Sequence, residues 1–163
     1  MSNTASNLRI SGVVAESIVD GPGFRYVVFT QGCPHHCPGC HNPQTHSFER
    51  GYDADIPAML EEIRRDPLLD GITLSGGEPF CQPEALIPLA KAVKEMGKTV
   101  FAYTGYTLEQ LLELAKSRPA IKELLRLCDT LVDGPYVEAL RDLDLEFRGS
   151  SNQRLIDLHT VQL

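Results

Sequence analysis

Phe24-Arg25-Tyr26-Val27-Val28-Phe29-Thr30-Gln31-Gly32-Cys33-Pro34-His35-His36-Cys37-Pro38-Gly39-Cys40 decides how the rest of the chain is read. Its first half, Phe24 to Thr30, is rich in aromatic and β-branched residues and bounded by glycines, which predicts a strand. Its second half leaves that strand directly and places three cysteines at a C-x₃-C-x₂-C spacing. Pro34 and Pro38 stiffen the loop, and Gly39 lets the backbone turn beside the last thiol. Loops at the C-terminal ends of parallel strands are where α/β proteins put their chemistry.

Downstream, strands and helices alternate. A helix capped near Asp55 carries Ile56, Met59, Leu60 and Ile63 on one face and stops before Pro67. Gly71 to Ser75 reads as a strand ending in Gly76-Gly77-Glu78-Pro79. A helix over about Pro83 to Met96 follows, with Leu86, Leu89, Ala90 and Val93 as its stripe and Gly97 as its stop. Thr99 to Tyr103 is the next strand, and Thr107 with Gln110 forms a capping box for a helix bearing Leu108, Leu111, Leu112 and Ala115. Pro119 opens a further helix whose buried stripe takes in Cys128 as a small apolar residue, before strands at Thr130 to Asp133 and near Leu155 to Leu158. Upstream, Leu8 to Val14 has some strand character, and His41 to Asp53 reads as an irregular connection.

This order implies right-handed crossovers and a largely parallel sheet. A closed eight-stranded barrel takes about 250 residues, and the chain has 163. The expected fold is α/β, a partial open (β/α) barrel, in a single domain over 1–163 with a disordered start at 1–7. An open side suits a large substrate.

Composition bounds the function. A net charge of −7 with no basic run gives no nucleic-acid footprint. No apolar run reaches the length of a membrane helix, and Met1 to Ser11 lacks a hydrophobic secretory core, so the expected place is the cytoplasm, away from membranes. Five cysteines, an odd count with three clustered, argue against a disulfide framework.

The cysteine loop on its own admits several centres. Three thiolates at this spacing suit an iron–sulfur cluster. Structural zinc is an alternative, with one of His35, His36 or His41 as fourth ligand, although no second cysteine knuckle follows. Cys37-Pro38-Gly39-Cys40-His41 satisfies the C-x-x-C-H haem pattern, yet there is no export signal to match it. A redox dithiol of Cys37 and Cys40 leaves Cys33 unexplained.

The ordered set of motifs resembles the radical S-adenosylmethionine superfamily: the cysteine motif after one strand, then Gly76-Gly77-Glu78-Pro79 after the next. Val19-Asp20-Gly21-Pro22-Gly23, Cys40-His41-Asn42-Pro43 and Tyr103-Thr104-Gly105-Tyr106 are similar to activating enzymes of glycyl-radical enzymes. Leu131-Val132-Asp133-Gly134 and Arg148-Gly149-Ser150-Ser151-Asn152-Gln153 resemble the branch that activates anaerobic (class III) ribonucleoside-triphosphate reductases. The resemblance runs from Asp20 to Asp157.

The resemblance implies an oxidoreductase in which Cys33, Cys37 and Cys40 hold one 4Fe–4S cluster, with one iron left for the amino and carboxylate groups of S-adenosyl-L-methionine. Reductive cleavage there gives a 5′-deoxyadenosyl radical, which takes hydrogen from a glycine of the reductase's large subunit to leave a glycyl radical. A flavodoxin or ferredoxin is the implied electron donor. Gly76 and Gly77 are expected to bring backbone close to the methionine end of the cofactor, with Glu78 adding negative charge. Asp133 is the candidate for the ribose hydroxyls. The superfamily often has an aromatic residue just before the third cysteine; here it is Gly39, so the backbone from Gly39 through Cys40 to His41 is the expected neighbour of the adenine. Ser150, Ser151 and Asn152 are candidates for lining the site or docking the partner, Arg148 and Arg154 for meeting a carboxylate, and His35 and His36 for exposed loop residues. Two alternatives stand beside this: an activase of another glycyl-radical enzyme of the pyruvate formate-lyase type, and a non-catalytic zinc-binding adaptor.

Overall fold

The computed structural model describes residues 7–163. The disordered start expected over 1–7 lies outside that range apart from Asn7.

The strand predicted from Phe24 is β2 (Arg25–Thr30), and it pairs antiparallel with a longer β1 (Arg9–Ser17). Within the connection after the cysteines, β3 (Tyr52–Asp53) adds two residues to the free side of β1. On the other side of β2, β4 (Gly71–Gly76), β5 (Thr99–Tyr103) and β6 (Thr130–Asp133) run parallel to it in succession, and β7 (Arg154–Asp157) closes the row antiparallel to β6. The result is one open seven-stranded sheet, ordered β3-β1-β2-β4-β5-β6-β7. Its four central strands are parallel and its margins antiparallel, the partial barrel that the βα alternation predicts.

Four helices bridge the strands: α1 (Ile56–Arg65), α2 (Pro83–Glu95), α3 (Leu108–Leu114) and α4 (Ala120–Leu127). Their starts follow local chemistry. Asp55 accepts the Ala58 amide at 3.0 Å to cap α1, and Thr107 with Gln110 makes the predicted capping box at α3. Among the described residues no helix is long and apolar enough to cross a membrane.

The twofold alternation of the strands sorts the sheet's faces. Tyr26, Val28, Ile72, Leu74, Val100, Ala102 and Leu131 pack with Ile63, Leu86, Leu89, Leu111 and Leu124 in the main core. Each such burial contributes roughly 1.5–3 kcal/mol against exposure. The intervening residues, among them Arg25, Thr73, Ser75, Phe101 and Tyr103, belong to the opposite face. Arg25 is fully buried there and satisfied by the Thr73 hydroxyl (3.0 Å), the Ile72 carbonyl (2.6 Å) and both Thr99 oxygens (2.9 and 3.1 Å). Burial lowers its pKa to about 10. This guanidinium ties the start of β2 to β4 and β5, so that the C-terminal ends of the parallel strands arrive at one edge in register, Thr30 beside Gly76.

Candidate functional site

At that edge lies a cavity of about 510 Å³. The loop after β2 gives it Cys33, Cys37, Cys40 and His41, β4 gives Ser75, Gly76 and Gly77, and β5 gives Tyr103, Thr104 and Gly105. Gly134 and Tyr136 follow from β6, and the segment before β7 adds Leu143, Leu145, Phe147, Arg148, Gly149 and Gln153. The three clustered thiols thus face one space with the ends of four parallel strands, while Cys81 and Cys128 stand outside its wall. All five cysteines are free.

The cysteine loop is held mainly through its backbone. The Gly32 amide donates to the Thr45 carbonyl at 2.7 Å, and the Cys33 amide to the His46 carbonyl at 3.1 Å. The Cys40 amide donates to the Cys37 carbonyl at 3.1 Å, and the Asn42 amide to Cys40 Sγ at 3.4 Å. His36, between the first two cysteines, is held in the left-handed region at φ 48°, as is Phe147 across the cavity at 61°. Non-glycine residues in that region carry strain that the surrounding structure must hold. Burial pushes the Cys33 thiol up, so that as a free thiol it keeps its proton until a cation draws it off.

The donor set fits a polynuclear iron–sulfur group. Among the described residues no three His, Cys, Asp or Glu side chains converge to hold a single metal ion. A cluster asks for something else, since each thiolate binds a different iron. Three soft sulfurs on one cavity wall, beside the side-chain-free backbone of Gly76 and Gly77, meet that requirement.

The structure gives the two glycines a reason that spacing does not reveal. A Cβ on Gly77 would lie 2.3 Å from the Gly32 carbonyl oxygen and 2.9 Å from that of Thr45, and one on Gly76 2.4 Å from the Thr30 amide. The close approach is therefore that of the cysteine loop and β2 themselves, not of a ligand alone.

Three expected site residues stand outside the cavity wall. Glu78 is completely buried: its Oε1 lies 2.6 Å from His35 Nε2 and accepts the Gly105 amide at 2.7 Å, and its Oε2 accepts the Thr104 hydroxyl at 2.8 Å and the Phe80 amide at 3.1 Å. All its acceptor capacity is turned to the protein, so it is an anchor instead of a charge offered to the cofactor. Asp133 is likewise buried, accepting the Leu108 amide at 2.7 Å and both Nε (2.9 Å) and Nη2 of Arg154. Both its oxygens are turned to the protein, where they hold the start of α3 and β7. Gly39 is on the exposed side of the loop with φ 76°, where a Cβ would run into the Glu138 carboxyl at 1.9 Å.

Other residues gain roles. His35, expected as an exposed loop residue, is the Glu78 partner, with its side chain only 15% exposed, whereas His36 is exposed as expected. Tyr136 packs its ring 5.1 Å from that of His41 and so brings an aromatic side chain to the place where Gly39 has none. The Arg148–Gln153 stretch closes on itself: Gln153 accepts the Gly149 and Ser150 amides (2.8 and 3.2 Å) and donates to the Gly134 carbonyl (3.1 Å). Ser150 Oγ accepts the Val137 amide at 3.1 Å, and Asn152 donates to the Pro135 carbonyl at 2.8 Å. Ser150 and Asn152 therefore clamp the Gly134–Val137 loop, and Arg148 and Gln153 reach the wall. Nothing in the local sequence pairs these residues with that loop; only β7 lying beside β6 does.

Comparison with known proteins agrees with this geometry. The family described as 4Fe-4S single cluster domain matches residues 19–156. The anaerobic ribonucleoside-triphosphate reductase-activating protein of Escherichia coli (strain K12) is 38% identical over 147 residues, covering 83% of this chain and 90% of that protein. The protein of the same description from Vibrio cholerae is 37% identical over 144 residues, 83% and 89% of the two chains. A pyruvate formate-lyase-activating enzyme from Clostridium pasteurianum is 40% identical over 114 residues, 66% of this chain but 48% of that one. The chain belongs to the 4Fe-4S single cluster domain family, in the group of the anaerobic ribonucleoside-triphosphate reductase-activating proteins.

Proposed function

We propose that this protein activates an anaerobic ribonucleoside-triphosphate reductase, with Cys33, Cys37 and Cys40 holding a 4Fe–4S cluster and S-adenosyl-L-methionine bound beside it. The observation that carries the reading is the cavity itself, where three thiols of one loop share a wall with the C-terminal ends of the parallel strands and no fourth cysteine joins them among the described residues. When bound, the cluster and S-adenosyl-L-methionine supply a 5′-deoxyadenosyl radical that takes a hydrogen atom from a glycine of the reductase.

The chain's own residues bind, orient and exclude water. Gly76 and Gly77 leave a side-chain-free wall for the methionine end, and Arg148, which lines the same cavity, supplies a cation for its carboxylate. The rings of His41 and Tyr136, tilted 48° to each other beside Cys40, offer aromatic faces of the kind an adenine takes. Leu145 and Phe147 make part of the wall apolar, which keeps water from a reactive radical. Val19 and Leu143, 72% and 79% exposed, stand at the rim, where a segment of a protein substrate would enter. Coverage of 90% of a reductase-activating relative, against 48% of the pyruvate formate-lyase activase, favours the reductase as partner. We place the protein in the cytoplasm as a single domain, with a reduced flavodoxin or ferredoxin as donor; five free thiols suit a reducing compartment.

The test is anaerobic mixing of the reconstituted protein with S-adenosyl-L-methionine, a reductant and the large reductase subunit. A glycyl-radical doublet by electron paramagnetic resonance is expected, and Cys37→Ala is expected to abolish both it and cofactor cleavage. An intact cluster without the doublet would move the assignment to another glycyl-radical enzyme. A colourless protein carrying one zinc after oxygen-free purification would overturn the reading.

A further inference from the structure

Phe48 is a large apolar side chain left 59% exposed, and it stands directly against the cysteine loop. Its ring lies over Gly32, where a Cβ would come within 2.5 and 2.7 Å of Phe48 Cδ1 and Cε1. Gly32 immediately precedes Cys33, so the ring rests on the backbone that carries the first of the three clustered thiols. Neither Phe48 nor Gly32 belongs to the cavity wall, to which Cys33, Cys37 and Cys40 contribute. The loop therefore has two sides, one turned to the cavity and one turned outward beneath Phe48.

The outward side is held in place and carries little negative charge. Gln31 Nε2 donates to the Ser47 carbonyl at 2.6 Å and to that of Gln44 at 3.2 Å, while the Gly32 and Cys33 amides donate to the Thr45 and His46 carbonyls. The segment leading to Phe48 is thus fastened along its length to Gln31, Gly32 and Cys33. In a chain with 22 Asp and Glu and a net charge of −7, residues 31–51 hold one carboxylate, Glu49, beside Arg50 and the four histidines His35, His36, His41 and His46. Pro34, His36, Phe48 and Arg50 are exposed, and no carboxylate pairs with Arg50 among the described residues.

We propose that this outward face, centred on Phe48 and flanked by Arg50, is where a reduced flavodoxin docks to deliver its electron. The inference rests on the cluster reading above. In that transfer the anionic flavin hydroquinone gives up one electron and becomes the neutral semiquinone, and the group on Cys33, Cys37 and Cys40 gains it; no bond forms or breaks and no proton moves. Entry from this side leaves the cavity to S-adenosyl-L-methionine and the protein substrate. Redox encounters are small, and a central aromatic anchor carries much of the binding in a small interface. An exposed ring suits a carrier whose own redox group is a planar aromatic, as a flavin is and an iron–sulfur cluster is not. The scarcity of carboxylates spares an acidic flavodoxin the repulsion it would meet elsewhere on the chain, and Arg50 adds attraction.

The test compares wild type, Phe48→Ala and Arg50→Glu, each reconstituted without oxygen and checked for equal iron per chain. Affinity for oxidised flavodoxin, read by isothermal titration calorimetry, is expected to fall about tenfold in Phe48→Ala. In stopped flow, Arg50→Glu should slow reduction by flavodoxin hydroquinone a few-fold at low salt, and the difference should fade at high salt. Cleavage of S-adenosyl-L-methionine with dithionite, a small reductant that needs no docking, should be equal in all three. Unchanged flavodoxin affinity and reduction rate in both variants would overturn the proposal. So would an equal loss with dithionite, which would make Phe48 only a support of the cysteine loop, or a loss of affinity for the large reductase subunit in place of flavodoxin. Should Phe48→Ala take up less iron, Arg50→Glu, whose side chain is exposed, decides alone. Wild type that takes up no iron would instead show that the cluster reading itself had failed.

Discussion

Glu78 Oε1 and His35 Nε2 lie 2.6 Å apart, joining the end of β4 to the middle of the cysteine loop. The same carboxyl accepts from Thr104 and Gly105 at the end of β5, so one buried side chain ties together three of the strand ends that wall the cavity. Glu78→Gln keeps the volume but turns two N–H groups toward positions that now receive donors. It should cost about 1–3 kcal/mol, the penalty for stranding buried polar groups, and Glu78→Ala more. Urea unfolding and iron per chain measure the two consequences. A Glu78→Gln protein of wild-type stability and iron content would show that the hub is dispensable.

Gly77→Ala tests the close approach of backbone to backbone. Its new methyl would meet the Gly32 carbonyl oxygen at 2.3 Å, and neither atom belongs to a flexible side chain. The loop bearing Cys33 has to shift, which should cost about 1–3 kcal/mol as overpacking does and lower iron uptake. Retained iron with unchanged stability would mean that the loop yields more easily than its hydrogen bonds suggest.

Arg154→Ala separates two accounts of Asp133. In the structure the arginine supplies two of the donors to this buried carboxylate, which raises the arginine's own pKa, and Glu109 at 2.7 Å adds a partly exposed contact. Losing Arg154 should therefore destabilise the fold by about 1–3 kcal/mol, less whatever solvent restores to its half-exposed side. Affinity for S-adenosyl-L-methionine, read by equilibrium binding, should stay the same. A selective loss of affinity would return Asp133 to the ribose.

Most of the fold was legible in the sequence because its elements announce themselves locally: β-branched runs for β2, β4 and β5, and a capping box at Thr107, whereas β3 fell inside a stretch that reads as an irregular connection. The three cysteines of the cavity wall were legible for the same reason, since their spacing is local. What could not be read is what depends on juxtaposition. His35 looks like any loop histidine until Glu78, 43 residues away, lies beneath it. Asp133 looks like a ligand at a strand end until Arg154 arrives on an antiparallel neighbour. Tyr136 carries no motif at all, and only the cavity identifies it.

Asp129 gives the fold a pH dependence independent of the site. Burial alone would raise its pKa, but Lys94 Nζ at 2.6 Å, the Val100 amide at 2.8 Å and His159 Nε2 at 2.8 Å outweigh it and hold the carboxyl below its ordinary value. A carboxyl depressed in the folded state lends stability that is fully present above its unfolded pKa of about 3.9. That stability drains away as pH falls through the folded value. Asp129→Asn should therefore cost about 1–3 kcal/mol near neutrality, and its deficit against wild type should narrow as pH drops below about 4. Urea unfolding followed by circular dichroism across a pH series measures that difference, and comparing the two proteins at each pH cancels acid damage to any bound cluster. A deficit that stayed constant down the series would mean that Asp129 acts through packing and neutral hydrogen bonds, with its charge contributing nothing.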